Sequence, residues 1–222
     1  MPTLVRGRGP GLDRDDLEAW AAVPTTIAAD LFRGRVLVDP AIRPVRPFAA
    51  AARLAGPAVT AWCEAADYGP VHHAIAAAAP GDVIVIAAGA RMDAAMIGEL
   101  LSGAARRKGI AGVVVDGPVR DLASLAAFDD FPVFSRGAVA RGPSSMERGS
   151  VNEPVVFGSI PVAPGDLVLG DDDGLVVIPA GELAASLPPA QAMVRAELAW
   201  EARLARGETT LEVFNVPPGK PA

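Results

Sequence analysis

One cysteine, Cys63, stands among 222 residues, which excludes an internal disulfide and any cysteine-rich metal centre. The two histidines, His72 and His73, are adjacent, so a multi-histidine metal site is excluded too. Neighbouring residues on a helix point in different directions and do not comfortably share one ion. No apolar run approaches the roughly 20 residues needed to span a bilayer. The opening MPTLVRGRGPGLDRDD lacks the apolar core of a secretory signal. A basic patch is also missing: 20 Lys and Arg face 26 Asp and Glu, and the densest basic run is Arg106-Arg107-Lys108. Nucleic acid is therefore not an expected partner, because phosphate neutralisation needs clustered cations. Serines are few and no G-x-S-x-G occurs, so a nucleophile triad has no support. These absences predict a soluble cytoplasmic protein without membrane or nucleic-acid partners.

What is present suits one domain over residues 1–222, since the chain is 51% hydrophobic and long enough to bury a sizeable core. A Gly- and Arg-rich arm occupies residues 1–12. Its Gly7, Gly9 and Gly11 follow no strand and include Pro10, which argues against a phosphate loop and for a flexible or subunit-crossing arm. Two short helices are predicted over 12–23 and 25–32, with Thr25 or Thr26 as cap of the second. Residues 58–63 and 83–87 read as strands, with a helix from about Pro70 to Ala79 between them. After residue 121 come a short helix to Phe128, a brief strand at Val133-Phe134 and an irregular stretch over 135–154. A series of short strands follows, with Asp171-Asp172-Asp173-Gly174 as a hairpin turn; the later acidic position of a calcium loop is absent. Pro188-Pro189 are expected to separate a short helix from a longer one over 190–205, and the tail to residue 222 to be extended.

The stretch from Gly98 to Asp121, GELLSGAARRKGIAGVVVDGPVRD, organises the rest. Met96, Ile97, Leu100, Leu101, Ala104 and Ala105 recur at three- and four-residue spacing and predict one apolar face of a helix. Arg106, Arg107 and Lys108 suit its carbonyl end, and Gly109 suits the position just beyond. Residues 110–115 form an apolar, β-branched run that reads as a buried strand, stopped by Asp116-Gly117-Pro118. Ligands of open α/β sheets gather at strand carboxyl ends and helix amino ends. Glu99 sits at the amino end of the predicted helix and Arg120-Asp121 just past the strand, so both point to one site.

The chemistry follows from these residue types. The free amides of a helix's first turn, over Gly98, Glu99, Leu100 and Leu101, suit a small carboxylate. Arg120 suits the same anion or a developing enolate. Asp121 suits a hard divalent cation with waters completing its shell, and Glu99 would bind those waters or act as a base. Such a cation polarises the carbonyl of a 2-keto acid. Arg-Asp pairs and helix-start glutamates also occur on ordinary surfaces, so their convergence in space is the point to be tested.

Three blocks, PGDVIVIAAG, GELLSGAARRKGIAGVVVDGPVRD and PGDLVLGDDDGLVVIP, together resemble the RraA-like family over about residues 20–180. Its enzymes include 4-hydroxy-4-methyl-2-oxoglutarate / 4-carboxy-4-hydroxy-2-oxoadipate aldolases. They carry an acidic residue, twenty intervening residues, then Arg-Asp, matched here by Glu99, Arg120 and Asp121. The resemblance implies an α/β fold, a layered β/β/α sandwich of the swivelling-domain type. It also implies a pyruvate-releasing aldolase with oxaloacetate decarboxylase activity. In that enzyme Asp121 holds Mg²⁺ or Mn²⁺, Arg120 contacts the keto acid, and the Gly98–Leu101 amides cradle its carboxylate. A homotrimer, or a hexamer of two trimers, with sites between subunits is implied as well. A neighbouring subunit's carboxylate completes such sites, with Asp30 and the acidic residues of the C-terminal helix as candidates. Other members inhibit a ribonuclease by protein contact, and a sugar-acid lyase on the same fold is a further alternative.

Overall fold

The computed structural model describes residues 2–9, 11–48 and 53–219. In chain order the elements begin with β1 (Leu4–Val5), α1 (Arg14–Ala21), α2 (Thr25–Leu31), β2 (Arg43–Pro44) and β3 (Leu54–Cys63). Then come α3 (Gly69–Ala77), β4 (Val83–Ala87), α4 (Glu99–Arg107), β5 (Gly112–Val115), β6 (Pro118–Val119) and α5 (Leu122–Ala126). The second half holds β7 (Val133–Ser135), β8 (Gly137–Ala138), β9 (Gly149–Val151), β10 (Val155–Phe157) and β11 (Ile160–Val162). It closes with β12 (Leu167–Asp171), β13 (Gly174–Ile178), α6 (Leu183–Ala205) and α7 (Thr210–Val213).

The main sheet runs β1-β9-β3-β4-β5-β7-β2, with β3, β4, β5 and β7 parallel to one another. β3 belongs to two layers. Its first residues, Leu54 to Pro57, pair antiparallel with β12, and Ala58 to Trp62 pair parallel with β4. β4 shows why the layers stack. Ile84 and Ile86 face the cluster under α3, α4 and α5, whereas Val83, Val85 and Ala87 face the second β layer. Both faces are buried, so the period of two is hidden behind a continuous apolar run. In β13 the same alternation turns Leu175 and Val177 inward, and Val176 and Ile178 outward onto α1, α2 and α6. The β/β/α layering is therefore present, with a further helical layer on its outer side. Among the described residues no helix is long and apolar enough to cross a membrane.

Several elements depart from the sequence expectations. α6 runs unbroken through Pro188 and Pro189. Leu183, Leu187, Ala190, Met193 and Val194 share the cluster beneath it, and this stripe carries the helix across two missing N–H groups. The described tail contains α7, fixed by Thr209 and Glu212 as a capping box. The N-terminal arm docks: Leu4 and Val5 pair parallel with Ser150 and Val151, and Arg8 forms an ion pair with the buried Asp82. That pairing also orders part of the stretch read as irregular. α2 begins at Thr25 without a side-chain cap of its own; Asp171 accepts from the Thr25 amide at 3.1 Å and from its hydroxyl at 2.6 Å. The triple-aspartate stretch is a hairpin turn, with Asp171 opposite Gly174.

Candidate active site

The gap of twenty residues between Glu99 and Arg120 is closed by one short pairing. After β5 the chain turns at Asp116-Gly117, and β6 runs beside the segment preceding α4, with Ile97 opposite Val119. Met96 donates to the Pro118 carbonyl and Arg120 to the Ile97 carbonyl, each at 3.2 Å. Gly98 and Arg120 thus leave the same ladder side by side. β8 braces β6 from the other side, with Gly137 opposite Pro118 and Ala138 opposite Val119.

Asp121 adopts φ 60° and ψ 42°, a left-handed conformation that an aspartate tolerates better than most side chains. It precedes α5 yet does not cap it. Its carboxylate turns to α4, where Oδ2 accepts the Glu99 amide at 3.0 Å. Ser124, one turn into α5, donates its hydroxyl to Glu99 Oε2 at 2.9 Å. The two helix starts are therefore cross-braced. Arg120 Nε lies 3.8 Å from Asp121 Oδ2, with both side chains nearly half exposed. Gly98 permits this closeness: a Cβ there would lie 2.5 Å from Asp121 Oδ2 and 2.8 Å from Arg120 Cγ.

These groups open onto a cleft of about 460 Å³ whose other wall is Tyr68, His72 and Pro143. Within α4 the buried residues are Ser102, Gly103 and Ala105, and Leu100 is 80% exposed at the cleft rim. The apolar spacing misled at this point, because Met96 and Ile97 are buried in the extended segment before the helix. Gly109 does take the left-handed conformation expected beyond the helix end, at φ 81°. Lys108 reaches across instead, donating to the carbonyls of Ile75 and Ala76 at the end of α3.

Ser102 is the first α4 residue whose amide finds a backbone acceptor, Gly98 O at 3.0 Å. Asp121 takes the Glu99 amide, whereas those of Gly98, Leu100 and Leu101 have no acceptor among the described residues. Among the described residues no group of three or more His, Cys, Asp or Glu could hold a metal. Asp121 Oδ1, however, has no hydrogen-bond partner among them, and a hard oxygen of this kind fits Mg²⁺ bound by one carboxylate and several waters.

Sequence reasoning missed the residues that hold the far wall. Asp67 is fully buried and accepts from the Ser145 hydroxyl at 2.6 Å and the Gly69 amide at 3.2 Å. Burial pushes its carboxyl upward, but Ser145 and the amides of Arg148, Glu147 and Gly69 outweigh that and hold it below the usual range. Asp67 thereby pins the loop bearing Gly142 and Pro143 to the start of α3, which carries Tyr68 and His72. The 78 positions from Asp67 to Ser145 leave no local signal. Both histidines are exposed; His72 lines the cleft, and His73 faces Thr3 and Met146 elsewhere. Asp30 is exposed on α2, in the outer helical layer. Burial pushes the Cys63 thiol up to about 12, with the Asp67 charge adding to the effect, so it is no nucleophile.

Layering and cleft together define a mixed α/β protein whose site lies where a helix begins beside a strand exit. The chain belongs to the RraA-like family: residues 25–177 match its Aldolase/RraA model. It is 36% identical over 168 residues to a Halalkalibacterium halodurans protein named "Putative 4-hydroxy-4-methyl-2-oxoglutarate aldolase", covering 76% of this chain and 78% of that one. An uncharacterised protein from Pseudomonas syringae superposes with TM-score 0.81 at 25% identity, covering 92% of this chain and 99% of the other. RraAS2 of Streptomyces coelicolor, described as an unusual member of the RNase ES inhibitor RraA family, superposes with TM-score 0.74 at 25% identity, covering 86% and 98%.

Proposed function

We propose that the protein is a divalent-metal-dependent lyase that cleaves a small 4-hydroxy-2-keto diacid by retro-aldol reaction to release pyruvate. Oxaloacetate decarboxylation is its side activity. The observation that carries this is the meeting of Glu99, Arg120 and Asp121 at the amino end of α4, in one cleft. The aldolase name of the H. halodurans relative points the same way.

Each group has a task. The amides of Gly98, Leu100 and Leu101, at the positive end of the helix dipole, receive the C1 carboxylate. Arg120 has Asp121 as its nearest carboxylate, and its guanidinium faces the 2-oxo oxygen, where negative charge gathers as the C3–C4 bond breaks. Asp121 would hold Mg²⁺ or Mn²⁺, which supplies Lewis acidity at the keto group when bound. Glu99, steadied by Ser124, either accepts the proton of the 4-hydroxyl or orients a water that does. C4 becomes the carbonyl carbon of the second product, C3 takes up a proton, and pyruvate leaves.

Within this proposal the working assembly is a homotrimer or hexamer in the cytoplasm, a neighbouring subunit lending a carboxylate; sedimentation equilibrium measures the subunit count. The test of activity is pyruvate release coupled to lactate dehydrogenase over a keto-acid panel, with Mg²⁺ and with chelator. Metal-stimulated release from a 4-hydroxy-2-keto diacid supports the lyase. The likeness to RraAS2 favours a second reading, a regulator that binds a ribonuclease. Recovery of a ribonuclease in a pull-down, with no metal-stimulated release from any acid, selects that reading. Release from sugar acids alone selects a different lyase.

A further inference from the structure

We infer that Tyr68 and His72 are the specificity-determining pair of the cleft, reading a second carboxylate at the end of the substrate remote from the tip of α4. This inference rests on the keto-acid reading of the near end and adds what the far end selects.

No lining residue besides Arg120, Asp121 and Glu99 is a lysine, arginine or carboxylate; the two carboxylates stand at the tip of α4, and the Arg120 guanidinium reaches Gly142, next to Pro143. The far wall offers Tyr68, His72 and Pro143. Tyr68 is the residue before α3 and His72 lies in the first turn of that helix. Their rings meet edge to face at 4.9 Å and 64°, which restrains both. Neither the phenol hydroxyl nor the imidazole has a hydrogen-bond partner among the described residues. An O–H and an N–H thus stand at this wall, and no carboxylate or amide side chain lines the cleft beside them. Each can donate to an ionised carboxylate, and no carboxylate of the lining stands on this wall to repel a second one.

The wall is built to keep its place. Tyr68 donates its amide to the Ser145 carbonyl at 3.0 Å, and Ser144 donates to the Ala66 carbonyl at 3.1 Å. The buried Asp67 ties the same loop to the start of α3 through Ser145 and Gly69. Gly69 has no room for a Cβ, which would strike the Met146 carbonyl. Loop and helix therefore move as one piece, and the rings are set before a ligand arrives. Preorganised donors lose less on binding than mobile ones.

Calorimetry in Mg²⁺ with three probes tests this. Oxalate fills only the near end, 2-oxoglutarate reaches both ends, and 2-oxopentanoate has the same chain length without the second carboxylate. The expected result is that the protein binds 2-oxoglutarate at least about tenfold more tightly than 2-oxopentanoate, the size of one charge-assisted hydrogen bond. His72→Leu should reduce that preference to within about threefold while oxalate affinity holds, and His72→Gln, which keeps a donor, should retain part of it. Oxalate binding without a diacid preference, or a preference unchanged in His72→Leu, overturns the far-wall assignment and leaves the near end standing. Equal loss for all three probes in His72→Leu overturns it as well. Failure of oxalate to bind the unaltered protein removes the keto-acid reading of the near end and this inference with it.

Discussion

Asp121 caps the helix that Glu99 begins: its Oδ2 accepts the Glu99 amide at 3.0 Å, although the two residues are 22 positions apart. One carboxylate thereby joins the end of β6 to the tip of α4. Its second oxygen has no partner among the described residues, and under the lyase proposal it would hold the cation.

Gly98 is where this joint is most easily broken. A methyl group there would press on Asp121 Oδ2 and on the Arg120 side chain. Gly98→Ala should lower kcat/KM for pyruvate release by roughly 10²-fold through displacement of both groups by less than an ångström or so. The fold should survive, since the glycine lies beside an open cleft. Steady-state kinetics together with a thermal melt check this, and activity within a few-fold of the parent protein counts against it.

Glu99→Gln keeps an acceptor for the Ser124 hydroxyl but cannot take a proton. It is expected to lower kcat at least about tenfold with KM within about threefold. A rise in KM alone would demote Glu99 to a binding role.

Arg136 supports the site from behind. It pairs with the buried Asp116 and, at 2.8 Å, with Asp39, and its amide donates to the Gly117 carbonyl just before β6. The Ala41 amide and then the Arg136 guanidinium hold the Asp39 carboxyl below the usual range. Arg136→Met strands the Asp116 carboxylate and should cost about 3 kcal/mol in urea unfolding. Because β8 braces β6, turnover should fall as well. A midpoint unchanged within error would show that the network carries little stability.

Acid should loosen the far wall. The folded-state carboxyl of Asp67 titrates below its unfolded counterpart, near 4 on average. Its contribution is thus fully present above the unfolded value and is lost as pH falls through the folded one. Unfolding midpoints from pH 6 to pH 3 should decline steeply below about pH 4. Asp67→Asn should be less stable at neutral pH and show a shallower acid decline. Parallel curves for the two proteins would assign the acid sensitivity to other carboxylates.

Much of this was legible in the chain. β4 and β5 are apolar runs of the length that buried parallel strands require, and Gly109 marks the end of α4. The spacing of Glu99, Arg120 and Asp121 indicated their convergence, since a helix, a turn and a strand of that length return the chain to its starting end. The stripe that carries α6 through Pro188 and Pro189 is present in the sequence too, as is the Thr209–Glu212 capping box, but two prolines and a polar tail are the stronger local signals and point the other way. Tyr68 and Pro143 were not legible as site residues. Their meeting depends on one buried aspartate and a serine far along the chain, and periodicity carries no trace of such a pair.

The most direct test is Asp121→Ala assayed for metal-stimulated pyruvate release beside the parent protein. The account predicts that stimulation disappears while the melt falls only by the few degrees that loss of a helix cap, about 1 kcal/mol, entails. Turnover that still rises with Mg²⁺ to the level of the parent protein would contradict it.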